Sequence, residues 1–160
     1  MTEQNKKLGQ ILNSIADMYS FISEENIFRT VAYKRASKTI LGLPEDITYY
    51  EKEGTLNKLP GVGESIEMDI KQFINTGSIE RFDDLKKQAP IELMELMEIR
   101  GFGPKSLKKI YDELHYETKE DLISAVQNGK IEKLKGFGVK KLENMRRGLK
   151  LHKVMEERML

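Results

Sequence analysis

The chain has 160 residues, 39% hydrophobic and 33% charged with no low-complexity tract, which is the profile of a soluble globular chain long enough for one domain or two small ones. It has no Cys and only His115 and His152, which excludes a disulfide framework and a thiolate metal site and argues against zinc. No apolar run approaches a membrane span and no signal-peptide core follows the N-terminus, so a cytoplasmic chain with no membrane partner is expected. The net charge of +1 is unevenly spread: residues 1–89 carry 12 Lys/Arg against 14 Asp/Glu, and residues 90–160 carry 15 against 12. A polyanion would have to be held by local placement of charge rather than by bulk charge.

In chain order, Leu8, Ile11, Leu12, Ile15, Met18, Tyr19 and Ile22 recur at three- and four-residue steps and predict a long amphipathic helix. A second is predicted from about Ile27 to Leu41, stopped by Gly42 with Pro44 beyond. One or two turns over Glu45–Lys52 close at Gly54. Ile66, Ile70, Phe73 and Ile74 line the next helix, which ends near Thr76-Gly77, and Ile79, Phe82 and Leu85 mark another. Pro90 is the predicted boundary between subdomains 1–89 and 90–160. A short helix over Ile91–Met97 and a longer one through Leu107, Ile110, Tyr111 and Leu114 follow. Thr118 is a predicted N-cap with Asp121 at the third position of its helix, which ends at Asn128-Gly129. The last helix runs from about Lys140 to Met159. No stretch argues for a strand, so the expected fold is all-α.

Between these helices Gly-apolar-Gly occurs three times: Leu59-Pro60-Gly61-Val62-Gly63, Ile99-Arg100-Gly101-Phe102-Gly103 and Leu134-Lys135-Gly136-Phe137-Gly138. Residues 54–63 and 129–138 also agree position by position as Gly-Xaa-apolar-Xaa-Lys-Leu-Xaa-Gly-apolar-Gly, which marks a repeated structural unit. Each copy reads as a helix-hairpin-helix: glycines permit a tight turn, and the residue between them (Val62, Phe102, Phe137) pins it to the core. The following helix starts at once, and its unpartnered first N–H groups and positive dipole end suit a phosphate, without base information. The same hairpin also serves as a pure packing unit, so either role is open for any one copy.

Charge separates the copies. Lys105, Lys108 and Lys109 follow the second hairpin; Lys135 precedes the third, and Lys140, Lys141, Arg146 and Arg147 follow it. Glu64, Glu67 and Asp69 follow the first and would repel phosphate. The expected DNA-binding set is therefore Gly61, Val62, Gly63, Gly101, Phe102, Gly103, Lys105, Lys108, Lys109, Lys135, Gly136, Gly138, Lys140 and Lys141, with the second and third hairpins the better suited.

Over nearly its whole length the sequence resembles the N-terminal region of family X (polymerase beta-like) DNA polymerases, most closely the bacterial and archaeal branch. The resemblance rests on Asn26-Ile27-Phe28-Arg29-Thr30-Val31-Ala32-Tyr33-Lys34-Arg35-Ala36-Ser37, on the first hairpin with Thr76-Gly77, on Ile99 through Lys105, and on the ending His152 to Leu160. It implies a small first domain, a tandem-hairpin second subdomain, and a partner that is gapped, nicked or junction DNA in base excision repair. It also implies a 5′-phosphate pocket: Arg29 and Tyr33 fall where the family places a basic residue and a tyrosine, and Lys34, Arg35 and Arg81 add charge, although Arg29, Lys34 and Arg35 equally read as a solvated helix face. It implies no required cofactor, but Na+ or K+ on backbone carbonyls of Asn57, Leu59 and Val62 and of Met97, Ile99 and Phe102. Relatives of this type remove a 5′-deoxyribose phosphate through a lysine Schiff base; here Asp69 takes that lysine's place and Ser65 that of a supporting lysine, which argues against the lyase. No Asp-Xaa-Asp pair of a polymerase palm is present. The expectation is a nucleoid-associated monomer, a non-catalytic piece or free-standing relative of a DNA-directed DNA polymerase, improved in binding by a 5′-phosphate. The alternatives are a lyase using another lysine and a helical protein-interaction module.

Overall fold

A computed structural model describes residues 1–159. Among them the fold is all-α, as expected, with no strand. The Cα trace divides into two compact units, Met1–Ala89 and the residues from Pro90 onward.

The first unit is built on α1 (Glu3–Ile22) packed against α2 (Ile27–Leu41). The heptad-like stripe of α1 places Leu8, Leu12, Ile15, Ala16 and Met18 fully inside, opposite Tyr33, Ala36 and Ile40 of α2. The two backbones approach closely where Ser37 Oγ donates to the Gly9 carbonyl at 2.6 Å. Asn5 is fully buried and satisfied: its Nδ2 donates to the Glu45 carbonyl (2.9 Å) and its Oδ1 accepts from the Ile47 N–H (2.8 Å). That pair ties the start of α3 (Ile47–Lys52) to α1, as buried polar groups require. A single 3-10 turn, Leu56–Lys58, leads through the first hairpin into α4 (Glu64–Thr76), and α5 (Glu80–Leu85) folds back on α1.

The second unit begins with the short α6 (Ile91–Met94) and a 3-10 turn over Glu95–Glu98, then passes the second hairpin into α7 (Pro104–Leu114). Next come α8 (Lys119–Gln127), the third hairpin and α9 (Val139–Met159). The predicted cap on α8 is present, with Thr118 Oγ1 accepting from the Asp121 N–H at 3.2 Å. Leu93, Phe102, Leu107, Ile110, Leu122, Val126, Ile131 and Met145 form the core. Most helix ends fall within one or two residues of those expected, because capping residues and glycines mark them, whereas the helix expected over Ile91–Met97 is α-helical only to Met94 and finishes as the 3-10 turn.

Candidate nucleic-acid interface

The three hairpins share one backbone plan. In each, the residue between the glycines donates its N–H to the carbonyl three residues earlier: Val62 to Leu59 (3.0 Å), Phe102 to Ile99 (3.0 Å) and Phe137 to Leu134 (3.1 Å). The first glycine of each turn has a positive φ, of 82° at Gly61, 95° at Gly101 and 90° at Gly136, which is the type II turn requirement at that position. Val62, Phe102 and Phe137 are buried, as the motif predicts. The carbonyl of the second glycine then accepts the first helical bond, from Glu67, Leu107 and Leu142 at 2.9, 3.0 and 3.1 Å. The repeat of residues 54–63 at 129–138 is equally literal upstream. Thr55 N–H donates to Tyr50 (2.9 Å) and Lys130 N–H to Ala125 (3.1 Å) around the left-handed Gly54 and Gly129, a Schellman end to each preceding helix.

Each turn is braced by one neighbouring helix. Thr39 Oγ1 of α2 donates to the Pro60 carbonyl at 2.7 Å, and the Arg35 stem of the same helix covers Gly61. Gly148 of α9 lies so near the Arg100 carbonyl that a Cβ there would sit 2.2 Å from it, and Gly101 faces the Met145 backbone. Lys109 of α7 donates to the Lys135 carbonyl beside Gly136. The helix leaving the second hairpin thus braces the third, and the helix leaving the third braces the second. Gly148 is a residue the sequence reading passes over, because a lone glycine in a helix carries no motif.

The second glycines differ from the first. A Cβ added at Gly63, Gly103 or Gly138 would meet nothing within 4 Å, and none of the three has a positive φ. Gly63 and Gly103 take the ordinary extended N-cap conformation, yet neither α4 nor α7 has a side-chain cap. By contrast α1, α3 and α8 are capped by Thr2, Asp46 and Thr118. Neither space nor a positive φ demands glycine at the second position, and at α4 and α7 no capping side chain covers the first-turn N–H groups.

The description Helix-hairpin-helix domain matches residues 3–79, and SAM-like Helix-hairpin-helix tandem matches 53–115 and 93–151. The chain belongs to the helix-hairpin-helix family. It is 28% identical over 144 residues to DNA polymerase/3′-5′ exonuclease PolX of Bacillus subtilis (strain 168), covering 90% of this chain and 25% of that protein. It is 26% identical over 119 residues to DNA polymerase lambda of Arabidopsis thaliana, covering 74% of this chain and 21% of the relative. The resemblance to the N-terminal region of family X polymerases therefore holds, and the chain spans about a quarter of the length of these relatives.

The helix-hairpin-helix geometry sorts the basic residues. Lys105 and Lys140 occupy the same place, two residues past the second glycine, and both are exposed, as is Lys135. Lys108 pairs with Asp112 (3.2 Å), Lys109 is turned to Lys135, and Lys141 lies 4.6 Å over the Phe137 ring. Arg146 donates to the Val126 carbonyl and meets Glu132, whereas Arg147 is exposed.

At the first hairpin a cleft of about 550 Å³ is lined by Tyr19, Phe28, Arg29, Tyr33, Gly61, Gly63, Glu64, Ser65 and Arg81 among others. It gathers Arg29, Tyr33 and Arg81 of the expected pocket. Lys34 is turned instead to Asn13 and Asp17 of α1 (2.8 and 2.7 Å), and Arg35 lies over Gly61. Arg29 sits 5.5 Å above the Tyr19 ring. Behind the cleft Asp69, 7% exposed, accepts from Tyr33 Oη (2.5 Å) and Arg81 Nε (2.9 Å). Arg81 also donates to Tyr19 Oη and Ser65 Oγ, each at 2.9 Å.

Burial, and then the Asp69 carboxylate, push the Tyr33 phenol well above its usual 10.0. A raised native pKa favours the protonated form. The stability this confers is complete below about pH 10 and is lost as pH rises through the native value. In an alkaline spectrophotometric titration of the folded chain, one of its six tyrosines should ionise late, and Tyr33→Phe should remove that late step.

Proposed function

We propose that this chain binds DNA through its phosphate backbone, independently of base sequence, at gapped or nicked sites in repair. In this reading it is the non-catalytic N-terminal part, or a free-standing relative, of a family X DNA polymerase. The observation that carries it is the bare second glycine. Three helix starts carry a residue the fold does not require, in a place where any side chain would stand between the first-turn N–H groups and an incoming phosphate. Lys105 and Lys140 stand at that rim in the second unit and supply the charge. The first hairpin has Ser65 in their place, already engaged by Arg81, so it contributes backbone donors more than charge.

Among the described residues no cluster of three or more His, Cys, Asp or Glu could hold a metal ion. A monovalent cation at each of the first two hairpins, on the carbonyls of Asn57, Leu59 and Val62 in one and of Met97, Ile99 and Phe102 in the other, belongs to the same proposal. Leu59 and Ile99 each accept one turn N–H and keep a second lone pair for such an ion, which would offset phosphate charge. No helix of the described residues is long and apolar enough to cross a membrane.

The test is a fluorescence titration of gapped duplex at several salt concentrations. Binding should weaken steeply with salt, and Lys105→Gln with Lys140→Gln should lower affinity and flatten the log–log slope by about 2. No binding to gapped duplex at low salt sinks the reading. Equal slopes for the two proteins would remove these lysines from the interface.

A further inference from the structure

The Asp69 network has a consequence for what the first cleft can hold, and it rests on the reading of that cleft as part of a DNA-binding surface. A phosphate pocket needs unspent donors. Tyr33 has a single proton, and it is given to Asp69; the oxygen turned to the cleft can then only accept. Arg81 directs its Nε to Asp69, one terminal nitrogen to Tyr19 and the other to Ser65. Three of its five N–H groups are consumed, and its charge is matched at 2.9 Å by a carboxylate almost out of water. The remaining formal charges at the cleft are Arg29 and Glu64, which oppose one another. The cleft walls keep the shape of an anion pocket, while Asp69 occupies the electrostatic place of the anion from behind.

We infer that Asp69 is a specificity-determining residue of this cleft: an internal counter-ion that withholds Arg81 and Tyr33 and so selects against a doubly charged terminal phosphate. The cleft then accepts a DNA strand through Arg29 and the uncapped start of α4, contacts that serve a singly charged phosphodiester and do not distinguish a 5′-phosphoryl from a 5′-hydroxyl end. Asp69 is a positioning residue in this arrangement, acting through the two groups it holds. The 5′-phosphate preference expected from the resemblance is absent from the wild-type chain in this account, and Asp69→Asn creates it. The amide keeps an acceptor for Tyr33 or Arg81 but leaves the guanidinium charge unmatched.

The experiment titrates the full chain, Asp69→Asn and Asp69→Ser with thymidine 5′-monophosphate and with thymidine, following the Ser65 and Ile66 amide signals by NMR. Gapped duplex with a 5′-phosphate or 5′-hydroxyl is titrated in parallel, and thermal melts identify which variants are folded. The wild type should not distinguish the nucleotide from the nucleoside. A folded Asp69 variant should bind the monophosphate about tenfold tighter or more than wild type, the worth of a charge-assisted hydrogen bond. A wild type that already prefers the monophosphate overturns the inference whatever the variants do, and so does a folded variant that gains nothing. Loss of all duplex binding with the monophosphate response intact would instead sink the DNA-binding reading and leave the role of Asp69 standing.

Discussion

Gly148→Ala is expected to unfold the second unit at markedly lower temperature than wild type. Two terms oppose one another. Alanine is the better helix former by about 1 kcal/mol, so at an open position the change would stabilise α9. Here the new Cβ would lie 2.2 Å from the Arg100 carbonyl oxygen and 3.2 Å from an Ile99 methyl. The first of these is backbone and cannot rotate away. Relief requires α9 to lift from the second hairpin, loosening the contact of Met145 with Gly101 as well. Overpacking of this kind costs about 1–3 kcal/mol or more, and contact with backbone belongs at the upper end, so the penalty exceeds the propensity gain. A net loss of about 2 kcal/mol corresponds to a fall in melting temperature of roughly 8–16 °C for a unit of this size. Differential scanning calorimetry checks it, with Asn144→Ala on the exposed face of α9 as a control expected to change little. An unchanged melting temperature for Gly148→Ala would mean that α9 does not press on the second hairpin.

Gly103→Ser with Gly138→Ser should do the reverse: preserve or raise stability and abolish most DNA binding. Both positions are open, with no positive φ, and each immediately precedes a helix. Serine is a better N-cap than glycine by a few tenths of a kcal/mol, because its hydroxyl accepts from a first-turn N–H. That hydroxyl would spend the donors offered to a phosphate and stand in its path. A loss of affinity of about tenfold per hairpin follows if each contributes one well-made phosphate contact. Calorimetry and duplex titration of the same samples separate the two effects. Glycine that proves dispensable for both stability and binding would return the hairpins to the role of packing units.

These two glycines also show how much could be read in advance. Gly103 and Gly138 are conspicuous in the sequence because they recur with fixed neighbours, whereas Gly148 stands alone on a helix and becomes visible only when Arg100 is seen beneath it. The basic residues divide in the same way. All of Lys105, Lys108, Lys109, Lys140 and Lys141 follow a hairpin, but helical phase decides which reach outward. Lys105 and Lys140 lie on the first turn, Lys109 one turn later reaches across to the third hairpin, and Lys141 folds onto Phe137. In the first unit Arg29 and Tyr33 of α2 meet Arg81 of α5 at one cleft, and Lys34, next to Tyr33 in sequence, points to α1.

What is local and periodic was legible in the amino-acid order alone. Helix spans followed from the 3.6-residue repeat of apolar side chains, helix ends from caps and glycines, and the three hairpins from a recurring turn whose backbone geometry each copy specifies within a few residues. Tertiary structure decided what depends on residues far apart in the chain: that Lys109 and Gly148 brace each other's hairpins, and that Asp69 meets Arg81 and Tyr33. A carboxylate in place of a lysine can be read as the loss of a nucleophile. That it also neutralises the neighbouring guanidinium is a matter of a 2.9 Å contact between two helices, which no spacing within either helix encodes.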